Sequence, residues 1–144
     1  MRVDLDNSDI QTHVNLIQGI INRLSGNSAS VKAWCVTVVT GILVVAIEKG
    51  HSGTALVALL PIVVFCLLDG YYLSLERDFR QLYNRFVASL HDGTLEQQQV
   101  YSVLPNAGSR HRATAALSCI LSTSVWPFYL LLLLADLLVV QMGS

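Results

Sequence analysis

Charge is scarce in this chain. Of its 144 residues, 13% are Asp, Glu, Lys or Arg, where an average soluble domain has about 25%. The formal net charge of −1 leaves no bulk attraction to a polyanion, so nucleic acid is not an expected partner. Metal-binding patterns are also missing. The three cysteines, Cys35, Cys66 and Cys119, all lie in apolar runs and none has CxxC or CxxH spacing, which argues against zinc and reads as small apolar helix residues. The four histidines, His13, His51, His91 and His111, are scattered. No HExxH, GxSxG, P-loop or GxGxxG pattern occurs. Neither enzymatic activity, a cofactor nor a metal is therefore expected. Residues Met1–Asn7 are acidic and hold no apolar stretch, so no secretory signal is expected. The absence of an internal repeat of spans argues against a small transporter.

What the chain has instead is apolar length. Hydrophobic residues make up 53% of it and are clustered. Two runs, Ala33–Ile47 and Thr54–Leu68, flank the short polar connection Glu48-Lys49-Gly50-His51-Ser52-Gly53. A helix needs about 20 mostly apolar residues to cross a bilayer. The second run continues to Leu75, and the first is extended by Lys32 and Trp34 before it and Glu48 and Lys49 behind it. A third apolar run begins after Arg110-His111-Arg112. The expected fold is all-α: an integral membrane helical protein with a transmembrane hairpin (spans 30–47 and 54–75) and a third, C-terminal span over 113–140. Pro61 and Pro127 are candidate kinks.

Amphipathic helices flank the hairpin. Ile10, Val14, Ile17, Ile21 and Leu24 recur at spacings of 4, 3, 4 and 3, a narrow apolar seam on a helix over 8–25. Gly26-Asn27-Ser28 is expected to end that helix. Beyond Tyr71-Tyr72 the second span continues as a helix over 76–91, with Phe79, Leu82, Tyr83, Phe86 and Leu90 on one face and a stop near Asp92-Gly93. The two apolar faces match in period and length, so they are expected to pack together. Arg77, Arg80 and Arg85 on this helix, with Arg110 and Arg112 beyond it, are candidate contacts for a partner protein or for anionic lipid headgroups. Residues 92–112 read as a loop, with a short helix at 94–101 and a turn at Pro105-Asn106-Ala107-Gly108.

A few polar residues interrupt the apolar runs. With the hairpin turn centred near His51, Asp69 folds back opposite about position 33, beside Lys32. The two either pair or belong to an ion path or gate. On the third span, Ser118, Ser122, Val125, Tyr129, Leu133 and Asp136 fall on one side, a stripe that should face protein or water. Asp136 either pairs with Lys49 or lines a pore. Ala33, Thr37 and Gly41 form a small-xxx-small row suited to close helix packing. Seven of the nine Lys and Arg residues lie before the first span or between the second and third, Lys32 stands at the start of the first span and Lys49 alone lies in the connection, which predicts a cytosolic N-terminus and Arg77–Arg112 segment, with the hairpin turn and C-terminus outside.

The stretch from residue 10 to 86 carries a resemblance. Its parts are His13-Val14-Asn15-Leu16-Ile17-Gln18-Gly19-Ile20-Ile21-Asn22-Arg23-Leu24, Asn27-Ser28, Val31-Lys32-Ala33-Trp34-Cys35-Val36-Thr37, Leu68-Asp69-Gly70-Tyr71-Tyr72-Leu73, Glu76-Arg77 and Phe79-Arg80-Gln81-Leu82-Tyr83. It resembles small bacterial inner-membrane proteins found beside TIR-domain or nucleotide-signalling genes in anti-phage systems, and loosely resembles the two-span SLATT class of pore-forming effectors, to which the third span would be an addition. The resemblance implies an inner-membrane effector of bacterial defence that acts as a homo-oligomer, because three helices alone do not enclose an aqueous path. The alternative is a non-conducting anchor that docks a soluble cytosolic partner, such as a signalling enzyme, onto the bilayer.

Overall fold

The computed structural model describes residues 7–50, 53, 56–94 and 109–142, and for Asn7, Lys49 and residues 109–114 the backbone only. Among the described residues the chain is helical throughout, with no strand. It forms α1 (Asn7–Lys49), α2 (Leu59–His91), α3 (Ser109–Ile120) and α4 (Trp126–Met142). The stretches Ser8–Glu48 and Leu59–His91 are each long and apolar enough to cross a membrane, while α4 is apolar but shorter.

The first departure from expectation is the continuity of α1. Gly26-Asn27-Ser28 does not end the first helix; one helix of 43 residues runs from Asn7 to Lys49, about 65 Å long. One internal glycine costs about 1 kcal/mol relative to alanine. Burial of Leu24 before it and Val31 and Cys35 after it outweighs that cost, because each buried aliphatic side chain contributes about 1.5–3 kcal/mol. Ser28 does not turn the chain because its hydroxyl is engaged on another helix.

α1 and α2 form a long antiparallel hairpin in constant register. His13 packs on Phe86 with ring centroids 4.5 Å apart. Further along, Gln18 Nε2 donates to the Tyr83 hydroxyl at 3.4 Å, and Lys32 reaches Asp69 at 2.6 Å. Ile17, Ile21 and Leu24 of the α1 seam are buried, as is Phe86 of α2. The turn residues His51, Ser52, Thr54 and Ala55 lie outside the described residues. Gly50 before them has φ +60°, a left-handed conformation that costs glycine nothing.

α2 begins at Leu59 rather than at residue 54, after a turn at Val57-Ala58. Pro61 is therefore the third helical residue, and it is no mid-helix kink. Its missing N–H belongs to the first turn, where amides lack a helical partner in any case. The far end closes on a Schellman motif. Thr94 N–H donates to Ser89 O at 3.1 Å, Gly93 N–H to Leu90 O at 3.4 Å, and Gly93 takes φ +65°. The expected helix at 94–101 and the turn at 105–108 fall almost wholly outside the described residues, and residues 109–112 are helix rather than loop.

The expected third span over 113–140 is not one helix. It breaks at Leu121–Val125 into α3 and α4. Ser122 N–H bonds Cys119 O at 3.0 Å and Val125 N–H bonds Ser122 O at 2.9 Å, both tight three-residue turns. Pro127 supplies the cause. An unbroken helix would drive its ring against the carbonyl of Thr123 and leave that carbonyl without a donor. As the second residue of α4, the proline is instead well placed.

Both α3 and α4 run antiparallel to α2. α3 lies beside residues near Gly70, and α4 beside residues near Phe65. Cys35, Val39, Ala58, Ile62, Val125 and Tyr129 form the core where α1, α2 and α4 meet.

Candidate functional site

The polar centre of the molecule lies where α1 and α2 cross the end of the apolar runs. Ser28 and Lys32 are four residues apart on α1, hence on one face, and that face meets Asp69. The Asp69 side chain is 0% exposed. The Lys32 ammonium lies 2.6 Å from its Oδ2, the Ser28 hydroxyl donates to its Oδ1, and Lys32 Nζ donates to Ser28 Oγ at 3.1 Å. A carboxylate sealed in this way needs all three contacts, because a buried charge without partners is costly. The trio is closed on itself. Serine donates to the carboxylate and the ammonium donates to serine.

Gly70, next to Asp69, sets how close α3 comes. A Cβ there would lie 2.8 Å from Ile120 Cγ1 and 3.0 Å from the Ala116 carbonyl oxygen. Only a glycine permits this approach.

The stripe expected on the third span divides at the break. Val125, Tyr129 and Asp136 are buried and Leu133 is half-buried, facing the chain's own core. Tyr129 donates its hydroxyl to Phe65 O at 3.1 Å. Ser118 is exposed and donates to Ala115 O at 2.8 Å, so it leaves the stripe. Ser122 receives a hydrogen bond from Arg77. Asp136 lies two turns beyond Tyr129 and, by the same register, level with Ala58 at the start of α2. It is 0% exposed, and among the described residues neither carboxyl oxygen has a hydrogen-bond partner. Lys49, its expected partner, has a side chain outside the described residues.

Ala33, Thr37 and Gly41 are all exposed. Thr37 Oγ1 turns back to Ala33 O at 3.0 Å, and a Cβ on Gly41 would meet nothing.

The arginines differ from one another. Arg80 pairs with Glu76 one turn away at 2.8 Å. Arg77 meets no carboxylate within ion-pair distance among the described residues. It donates to Ser122 Oγ at 2.8 Å and to Cys119 Sγ at 3.3 Å. Arg85 is exposed, and the side chains of Arg110 and Arg112 lie outside the described residues.

Three positions emerge from the structure alone. Ser28 was concealed by the expected helix end, although its four-residue spacing from Lys32 was the available signal. Gly70, a glycine inside an apolar helix beside a carboxylate, signalled a close approach. His13 sits one residue off the expected seam and is buried against Phe86. Its burial holds the imidazole pKa below the ordinary 6.5.

Among the described residues no group of three or more His, Cys, Asp or Glu side chains is placed to hold a metal ion. No family profile, curated protein or solved structure matches the chain.

Proposed function

We propose that the chain is a three-span membrane protein that acts as a non-conducting anchor. In this reading α1, the first part of α2 and α4 hold it in the bilayer, and the hairpin of residues 7–30 and 76–91 stands in the cytosol to engage a soluble partner. One observation carries the reading: at the level of the apolar runs the buried polar groups Asp69, Tyr129 and Asp136 turn into the chain's own core, while the exterior is apolar apart from Thr37 and Thr40 on α1. Asp69, Tyr129 and Asp136 are buried; Val44, Ile47, Leu60, Val64, Leu131 and Leu138 are exposed. A water-filled path between copies needs polar walls, and Asp69, Tyr129 and Asp136 are not on the surface to supply them. Insertion at this level is further supported by three exposed aromatics, Trp34, Tyr71 and Trp126, which the helix register places within about one turn of a common plane. That is the pattern of an interfacial belt. α4, with 17 residues, spans about 25 Å, close to the ~30 Å of a bilayer core. The excess of Lys and Arg at the stalk end supports a cytosolic stalk. The resemblance of residues 10–86 to proteins encoded beside nucleotide-signalling genes supports a signalling enzyme as the partner and the bacterial inner membrane as the location.

A second reading keeps the homo-oligomeric, membrane-permeabilising effector. It rests on the exposed Ala33–Thr37–Gly41 row, the one outward strip at this level with small and hydroxyl-bearing residues, which lets two α1 helices approach closely. Membrane potential in cells that express the full chain separates the two. The anchor leaves the potential intact at matched expression. The effector depolarises the cells, and Gly41→Leu abolishes the effect. Depolarisation by wild type that Gly41→Leu abolishes would overturn the anchor.

A further inference from the structure

We propose that Arg77, at the junction of α3 and α4, binds the phosphate of a phospholipid headgroup. This rests on the membrane reading above and goes beyond it, because it selects one of the five candidate arginines and names its ligand.

The selection comes from charge accounting. Arg80 is neutralised by Glu76. Arg77 is exposed, and its charge is met by no carboxylate among the described residues. Its guanidinium is nevertheless held in place by the Ser122 hydroxyl at 2.8 Å and the Cys119 sulfur at 3.3 Å. Those contacts occupy Nη1 and Nη2 once each, so among the described residues three of the five N–H donors that a guanidinium carries have no partner. A planar, fixed fork with free donors suits a phosphate oxygen pair better than a mobile lysine would.

The location comes from the register. Trp126 N–H bonds Ser122 O at 3.1 Å, so the Arg77 guanidinium ends within a turn of exposed Trp126 and near exposed Tyr71. Long side chains on a helix lean toward its N-terminus. On α2 that direction leads from the stalk toward the apolar runs, so Arg77, about two and a half turns below Trp126 in this register, reaches back to within a turn of it. Beside it Leu117 of α3 and, at 79%, Leu121 in the break after α3 are exposed, apolar surface for the acyl chains of a lipid whose phosphate meets the guanidinium. Charge, aromatic plane and apolar flank coincide at Arg77 and at none of the other described arginines.

The test uses the full chain in detergent micelles, supplied with phosphatidylglycerol and read by native mass spectrometry for retained lipid. Flotation with phospholipid vesicles is measured in parallel. Wild type and R80Q retain lipid. R77Q retains about tenfold less, the size expected for one lost charge-assisted hydrogen bond, while it still floats. R77K keeps the charge but loses the fork, and retains an amount between those of wild type and R77Q. Equal retention by R77Q and wild type overturns the proposal. So does loss in R77K as complete as in R77Q, which would assign Arg77 only to fastening α3 and α4 to α2. Displacement of the lipid by excess inorganic phosphate overturns the lipid as ligand. Failure of the wild type to float removes the membrane reading together with this inference, whereas equal retention in a chain that floats removes this inference alone.

Discussion

Lys32→Met tests the polar centre most directly. Methionine keeps an unbranched apolar stem and removes only the ammonium. Asp69 then keeps the Ser28 hydroxyl but has no cation beside it among the described residues, at a position with 0% exposure. Removing one partner of a buried ion pair costs about 3–5 kcal/mol. Lys32 is 21% exposed, so some water already screens the pair, and the lower end, about 3 kcal/mol, applies. At about 1.4 kcal/mol per factor of ten, separation of α1 from α2 should become about a hundredfold more frequent. A native reporter lies one residue short of a turn along α1. Cys35 is a free, buried thiol packed with Val39 and Ile62 in the core. In a background with Cys66→Ala and Cys119→Ala, maleimide labels Cys35 only when the interface opens, and the rate follows the open population as long as reclosing outpaces labelling. Lys32→Met should raise the labelling rate about a hundredfold, and Lys32→Met with Asp69→Leu should recover most of the protection, because no orphan charge remains. Labelling of Lys32→Met at the wild-type rate would refute the reasoning. Labelling of the double variant as fast as the single one would show that the cost lies in lost packing and not in the charge.

Other positions give sharp expectations. Gly70→Ala places a methyl group 2.8 Å from Ile120 Cγ1 and 3.0 Å from the Ala116 carbonyl; it should cost about 1–3 kcal/mol, and Ile120→Val should recover only part, because the carbonyl contact is backbone, as thermal unfolding in detergent followed by circular dichroism will show. Asp136→Leu removes two buried oxygens without partners among the described residues and should leave the protein as stable or more so, with a lowered melting temperature as the contrary result. His13 gives a pH dependence. Its folded pKa is lowered by burial, so below the ordinary value of 6.5 the unfolded chain binds more protons than the folded one. Its contribution is fully present above that value and is lost as pH falls through the folded pKa. Melting temperature should therefore drop between about pH 7 and about pH 5, and His13→Phe should flatten that part of the profile.

The helical class, the hairpin and its register were legible in the amino-acid sequence, because they follow from local pattern. Apolar runs of near-spanning length, the 3-and-4 spacing of the α1 seam, and glycines at positions 50 and 93 each act over a few residues. The register of a tight hairpin carries position 69 back to about position 33. The proline at 127 was legible as a disturbance, but its outcome was not. Whether a proline kinks a helix or starts a new one depends on what the neighbouring turn packs against.

Tertiary structure decided everything that required weighing one element against another. The sequence pattern at Gly26-Asn27-Ser28 is a stop signal, and it lost because burial on both sides and the reach of Ser28 to Asp69 stabilise the continuous helix by more than the glycine costs. The stripe on the third span is regular along the chain, yet only Val125 onward faces the core, because the break at Leu121–Val125 turns α3 against α2 by another face. The five candidate arginines look alike in sequence, and their partners separate those described: Glu76 neutralises Arg80, while Arg77 is fastened to Ser122 and meets no carboxylate among the described residues. Periodicity along one chain specifies which face is apolar. Which face meets which partner is settled by helix packing between residues 40 or more positions apart, as Ser28 with Asp69 and Arg77 with Cys119 and Ser122, and no local pattern records it.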